Sequence, residues 1–200
     1  NGIDADTYCR RTDAAAARKE LGWPDQVRYV VSVGHLQELK GFHRLIAVWP
    51  EVRRRVGDIR LILVGGSAGE PAYERYLHHR IDELSLRDHV ELPGRKTPCD
   101  ITTMLNAADL FALASTSEGW CNAIAESLAC GCPVVATDVG GNRELINDSW
   151  LHREGTLRPA SSTVVARSPN TAVVEAGNRW RGNVSMCSEE SPKSTSRTTH

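Results

Sequence analysis

Five short apolar runs, each closing on glycine or small polar residues, alternate with stretches whose apolar residues recur at helical spacing, and this alternation restricts the chain to very few folds. The runs are VRYVVSVG (27–34), RLILVGG (60–66), HVELPGR (89–95), DLFALAS (109–115) and PVVAT (133–137). The first two are apolar at nearly every position, not at every second one, as expected of strands covered on both faces. Between the runs, Phe42, Leu45, Ile46, Trp49 and Val52 fall on one helical stripe, and Tyr73, Leu77, Ile81 and Leu84 on another. Ile101, Met104, Leu105 and Ala108 make a third. Asp13 is placed to cap a helix over 14–21 that stops at Gly22, and Thr97 with Pro98 to open the helix that carries Ile101. Arg53, Arg54 and Arg55 read as a solvated helix end favoured by the dipole.

Strands joined through helices on short connections predict right-handed crossovers and a doubly wound parallel sheet, a Rossmann-like α/β domain. Ligands of such sheets bind beside the strand C-ends, so loops 35–41, 65–70, 94–97, 115–120 and 138–141 are expected on one rim. The pattern accounts for residues 1–150. Residues 151–200, rich in Ser, Thr and Arg, are read as an irregular tail, either disordered or not native to the domain, in which TVVA and TAVVEA could still be strands. The N-terminus has neither Met nor an apolar leader, so the chain is expected to be cut from something longer.

The composition, 40% hydrophobic and 24% charged with a formal net charge of -1, is that of a soluble globular domain and argues against a nucleic-acid partner. No stretch approaches the roughly 18 apolar residues of a membrane span. The six cysteines lack metal-ligand spacing and are expected to be small buried residues in a reducing compartment. No metal site is expected. Neither G-x-G-x-x-G after the first strand nor G-x-x-x-x-G-K-[ST] occurs, which disfavours a dinucleotide oxidoreductase and a P-loop enzyme.

Residues 115–141, STSEGWCNAIAESLACGCPVVATDVGG, concentrate the remaining chemistry. Glu118 sits in a turn ahead of a helix, and Glu126 lies about two turns further on, sharing a face with Asn122. Two carboxylates so spaced can grip separate hydroxyls of one extended ligand, while backbone N–H groups near the helix start face its phosphates. Spacing alone leaves another reading open, with Glu118 merely favouring the dipole and Glu126 solvated.

This stretch resembles the donor-site signature of GT-B-type retaining glycosyltransferases, the family 4 or group 1 class: a Glu, seven residues, a second Glu, a small-residue helix end and PVVAT-x-x-GG. VSVGHLQELKGF resembles the family's VGR-L-x-x-x-KG loop and NGID its entry to the second domain, with LVGG, PGR and AADLFALAS following in order. The resemblance spans about residues 1–148. It implies the donor-binding half of a GT-B enzyme, with a nucleotide-diphosphate sugar as substrate, retention at the anomeric carbon, no cofactor and no required metal. Glu126 would then bind the ribose hydroxyls, and Glu118 would be catalytic beside the sugar and its developing positive charge. Gly119, Trp120, Cys121 and Asn122 would offer backbone donors to the diphosphate. Lys40 would neutralise phosphate, Gly34, His35, Gly65 and Gly66 would lie against the donor, and Arg95 would stand near the base.

Two positions depart from the family pattern. His35 stands where an Arg is usual beside the diphosphate, and Cys121 where Pro is commoner. The acceptor, a sugar, polysaccharide or lipid, would belong to a missing N-terminal domain, so the fragment is expected to transfer little or no sugar alone. The resemblance further implies a cytoplasmic enzyme, or one peripheral at the inner membrane face. A non-catalytic nucleotide-binding module and a sugar-nucleotide epimerase of the same architecture remain as alternatives.

Overall fold

The computed structural model describes residues 2–10, 13–67, 69 and 71–146, together with the backbone of 163–166. Helix α1 (Ala14–Leu21) is capped by the Asp13 carboxylate, which accepts from the Ala16 N–H, and ends at the left-handed Gly22. There follow β1 (Arg28–Val33), a single 3-10 turn (Glu38–Lys40), α2 (Phe42–Val56), β2 (Ile59–Val64), α3 (Pro71–Glu83) and β3 (Val90–Glu91). Next come α4 (Pro98–Ala107), β4 (Leu110–Leu113), α5 (Asn122–Ala129), β5 (Val134–Thr137), α6 (Asn142–Ile146) and β6 (Thr163–Ala166).

All the strand pairs are parallel, in the order β3-β2-β1-β4-β5-β6. The doubly wound sheet read from the sequence is therefore the observed one. Of the later region only β6 is described; it is the TVVA run, paired from Val134↔Thr163 to Thr137↔Ala166. The rest of 151–200, TAVVEA included, lies outside the described residues.

The helical stripes face the sheet. Phe42, Ile46, Trp49, Leu61, Leu63, Leu77 and Ile81 form one core layer, and Val31, Leu105, Phe111, Ile124 and Val134 the layer on the opposite face. Each such side chain contributes roughly 1.5–3 kcal/mol when fully buried. Cys121, Cys130 and Cys132 are buried as expected, but Cys99 is exposed, because its place in the first turn of α4 lies outside both layers.

Helix α1 is held to the second layer by a charged clamp. Arg18 donates to the Ala107 and Asp25 carbonyls at 3.0 and 3.1 Å, and pairs with Asp109 at 2.7 Å. Its guanidinium also lies 5.7 Å from the Tyr29 ring centroid. Asp109 accepts the Tyr29 backbone N–H through the same oxygen, so one carboxylate ties α1 to the start of β1.

Candidate functional site

Chain order in the sheet reverses between β1 and β4, where the loops following the two strands part and leave a crevice at the strand C-ends. A cleft of about 460 Å³ opens there. Of the residues singled out in the sequence, Gly34, His35, Lys40, Gly65, Gly66, Arg95, Trp120, Cys121, Asn122 and Glu126 line it. They come from four loops and one helix start, and the fold brings them together.

The glycines form the floor because the strand-end loops pack there backbone to backbone. Gly34 donates to the Val64 carbonyl and Gly65 to the Gly94 carbonyl, each at 3.0 Å. Arg95 lies across Gly66, where a Cβ would come within 2.8 Å of its side chain. The opposite wall is the start of α5, with Cys121 at its N-cap position and no side-chain cap. The first N–H of this helix to bond within it is that of Ile124, to the Cys121 carbonyl at 3.1 Å, and the N–H groups ahead of it give an anion-favouring end beside the cleft.

Glu118 and Gly119 do not line the cleft. The Glu118 carboxylate accepts from Lys40 Nζ through both oxygens at 2.9 Å and from the Ser115 hydroxyl at 2.6 Å. Its side chain is only 6% exposed, against 18% for Lys40, so the lysine separates it from the open cleft. Ser115 is fastened in turn: its carbonyl accepts from the Thr137 hydroxyl at 2.6 Å, and the Thr137 carbonyl accepts from Asn142 Nδ2 at 3.1 Å. A buried polar chain thus runs from α6 through β5 to Glu118.

Two glycines fix the loops on either side of this pair. Gly41, with φ of 69°, leaves no room for a Cβ, which would stand 2.0 Å from the Ala114 carbonyl oxygen. Gly140, with φ of 54°, would place one 1.6 Å from the Glu118 carbonyl oxygen. The Gly140-Gly141 turn is therefore a backbone support for the Glu118 loop, and Gly141 donates to the Gly119 carbonyl at 3.0 Å.

Glu126 is half-buried and has no hydrogen-bond or ion-pair partner among the described residues. Burial pushes its carboxyl above the usual range. Tyr8, from the N-terminal segment, stands close enough that the Glu126 charge adds to burial in raising its phenol. The buried Cys121 thiol is also pushed up, by burial first and then by Glu118.

Arg95 and Lys96 are exposed and make no ion pair among the described residues. Lys96 was not singled out in the sequence, although it follows Arg95 in a loop already assigned to the rim; that position was the available signal. Val33, Val64, Ile101 and Ala123 complete the lining with apolar surface. They were invisible as site residues because the same residues serve the strands and helices. Chemically the cleft offers three cations, a helix start and one desolvated carboxylate around a glycine floor.

The fold and the cleft define a Rossmann-like domain with an open crevice at its topological switch point. The chain belongs to the glycosyl transferases group 1 family, whose model matches residues 13–158. It is 36% identical over 140 residues to the D-inositol 3-phosphate glycosyltransferase of Segniliparus rotundus, covering 70% of this chain and 31% of that protein. It is 34% identical over 148 residues to the enzyme of the same name from Mycobacterium tuberculosis, covering 74% and 30%. Among solved structures, Anabaena HepE in complex with UDP-glucose superposes with a TM-score of 0.64 at 33% identity, covering 74% of this chain and 40% of that one. The chain thus spans about a third of the length of these curated relatives. It is a group 1 domain of the GT-B class.

Proposed function

We propose that this domain is the donor-binding half of a retaining glycosyltransferase and that its cleft takes a nucleotide-diphosphate sugar. The observation that carries this reading is the meeting of Lys40, Arg95, the α5 start and Glu126 around one crevice. A diphosphate lies against the α5 N–H groups and draws Lys40 toward itself, which stabilises the charge that builds on the leaving nucleotide. Because the negative charge of the diphosphate is met by Lys40 and the α5 start, the protein itself supplies neutralisation that a metal supplies in other transferases. Glu126 accepts from the ribose hydroxyls, for which a desolvated carboxylate without other partners is well suited. Once phosphate oxygens compete with Glu118 for Lys40, the Glu118 carboxylate is released to act beside the sugar and its developing positive charge.

His35 lines the cleft at the position of the family's usual Arg and offers less fixed charge to the diphosphate. The sugar is transferred to an acceptor held by a second domain, so this chain alone binds donor and transfers little or none. The HepE complex with UDP-glucose makes UDP-sugars the first donors to test. Calorimetric titration with UDP-, GDP- and ADP-sugars should reveal one preferred nucleotide, and Glu126→Ala should weaken it about tenfold or more. If no nucleotide binds, or the variant binds as well as the parent chain, the cleft is not a donor site.

A further inference from the structure

Two hollows lie outside the donor cleft and share Glu38 and His43 as a common wall. One, of about 630 Å³, is bordered by Tyr73, Arg75 and Tyr76 at the start of α3; the other, of about 440 Å³, by Leu39 on the 3-10 turn. Both are of small-ligand size. The segment Glu38–Lys40 separates them from the cleft, with Lys40 lining the cleft and Glu38 lining the hollows. Among the described residues, the large apolar side chains left exposed are Leu39 at 41% and Tyr76 at 43%, and both border this trough.

The rings are held in place from behind. Tyr73 Oη stands 2.8 Å from His43 Nδ1 and accepts the His43 backbone N–H at 3.3 Å. Burial lowers the His43 pKa and lifts the Tyr73 phenol to about 12, so a neutral imidazole and a protonated phenol share this hydrogen bond. The His43 centroid is 6.0 Å from that of Tyr73 and 6.3 Å from that of Tyr76, and the two tyrosines are 6.1 Å apart at an interplanar angle of 32°. The result is an aromatic cup with Glu38 and Arg75 at its border.

We infer that this trough is a saccharide-binding subsite, separate from the donor cleft, in which a pyranose lies on Tyr76 while Glu38, His43 and Arg75 address its hydroxyls. A pyranose combines an apolar C–H face with a rim of groups that both donate and accept. The trough supplies the counterpart of each: ring face, carboxylate, imidazole nitrogen and guanidinium. This inference does not depend on the cleft binding a nucleotide.

Maltotriose, cellotriose and mannotriose serve as probes, titrated into the full chain and followed by saturation-transfer NMR and calorimetry, with and without saturating UDP. At least one should bind saturably in the millimolar range, unaffected by UDP. Tyr76→Ala should weaken it about tenfold and Tyr76→Phe less than about twofold, since the ring and not the hydroxyl forms the platform. The substitution is at an exposed position, and Tyr76→Ala should bind UDP as the parent chain does. The inference is overturned if none of the three trisaccharides binds, if Tyr76→Ala binds them as well as the parent, or if UDP displaces them. A failure of UDP to bind would contradict the donor reading and leave this one standing.

Discussion

Glu126 shows how much one side chain's surroundings decide. On sequence spacing it could have been a solvated helix residue; in the fold it is half-buried, partnerless among the described residues and raised in pKa by burial. Because the folded pKa is above the unfolded one, the folded state binds a proton more readily, and the cost of keeping Glu126 charged is present above the ordinary carboxylate range and lost as pH falls. Glu126→Gln should therefore raise the melting temperature near pH 7.5, with the gain vanishing toward pH 4. The charged carboxylate is the stronger acceptor for ribose hydroxyls, so nucleotide affinity should fall as pH drops through the elevated Glu126 pKa, earlier than an ordinary Glu would allow. In the Glu126→Gln variant the residual affinity should lose this pH dependence. Calorimetry and thermal melts from about pH 4 to 8 check both outcomes.

At the scale of elements, strand and helix positions were legible because local patterns dictate them. The stripe Phe42, Leu45, Ile46, Trp49 and Val52 is the buried face of α2, and the Thr97–Asp100 capping box opens α4 at Pro98. The 3-10 turn over Glu38–Lys40 and the short α6 carry no periodicity of their own. The Lys40–Glu118 pair joins residues 78 apart in the chain, so no window of sequence could show it. The glycines after β5 were visible, but their packing was not: Gly140 makes room for the Glu118 carbonyl and Gly141 for that of Gly119. Gly140→Ala should cost more than about 1 kcal/mol, from the left-handed backbone and the clash together. It should also displace the Glu118 loop and lower nucleotide affinity, read by urea unfolding and by titration of the same variant.

For the whole molecule, alternation of strands and helices was enough to give the doubly wound sheet and the rim on which the cleft lies. The clamp that closes α1 onto the sheet was not readable, since Arg18 and Asp109 are 91 residues apart. Arg18→Ala leaves the buried Ala107 carbonyl without this donor and Asp109 with the Tyr29 N–H in place of two partners, and should destabilise the domain by about 1–3 kcal/mol in urea unfolding. Nucleotide affinity, measured where the variant remains folded, should be unchanged, because the clamp stands away from the cleft lining.

The central claim is that one crevice at the β1–β4 switch point receives a nucleotide diphosphate in a set orientation. A crystal structure of the chain grown with UDP tests it most directly. The ribose hydroxyls should lie within hydrogen-bond distance of Glu126, the diphosphate against the α5 start and Lys40, and the base beside Arg95. UDP found outside this cleft, or inside it with its ribose away from Glu126, would contradict the account.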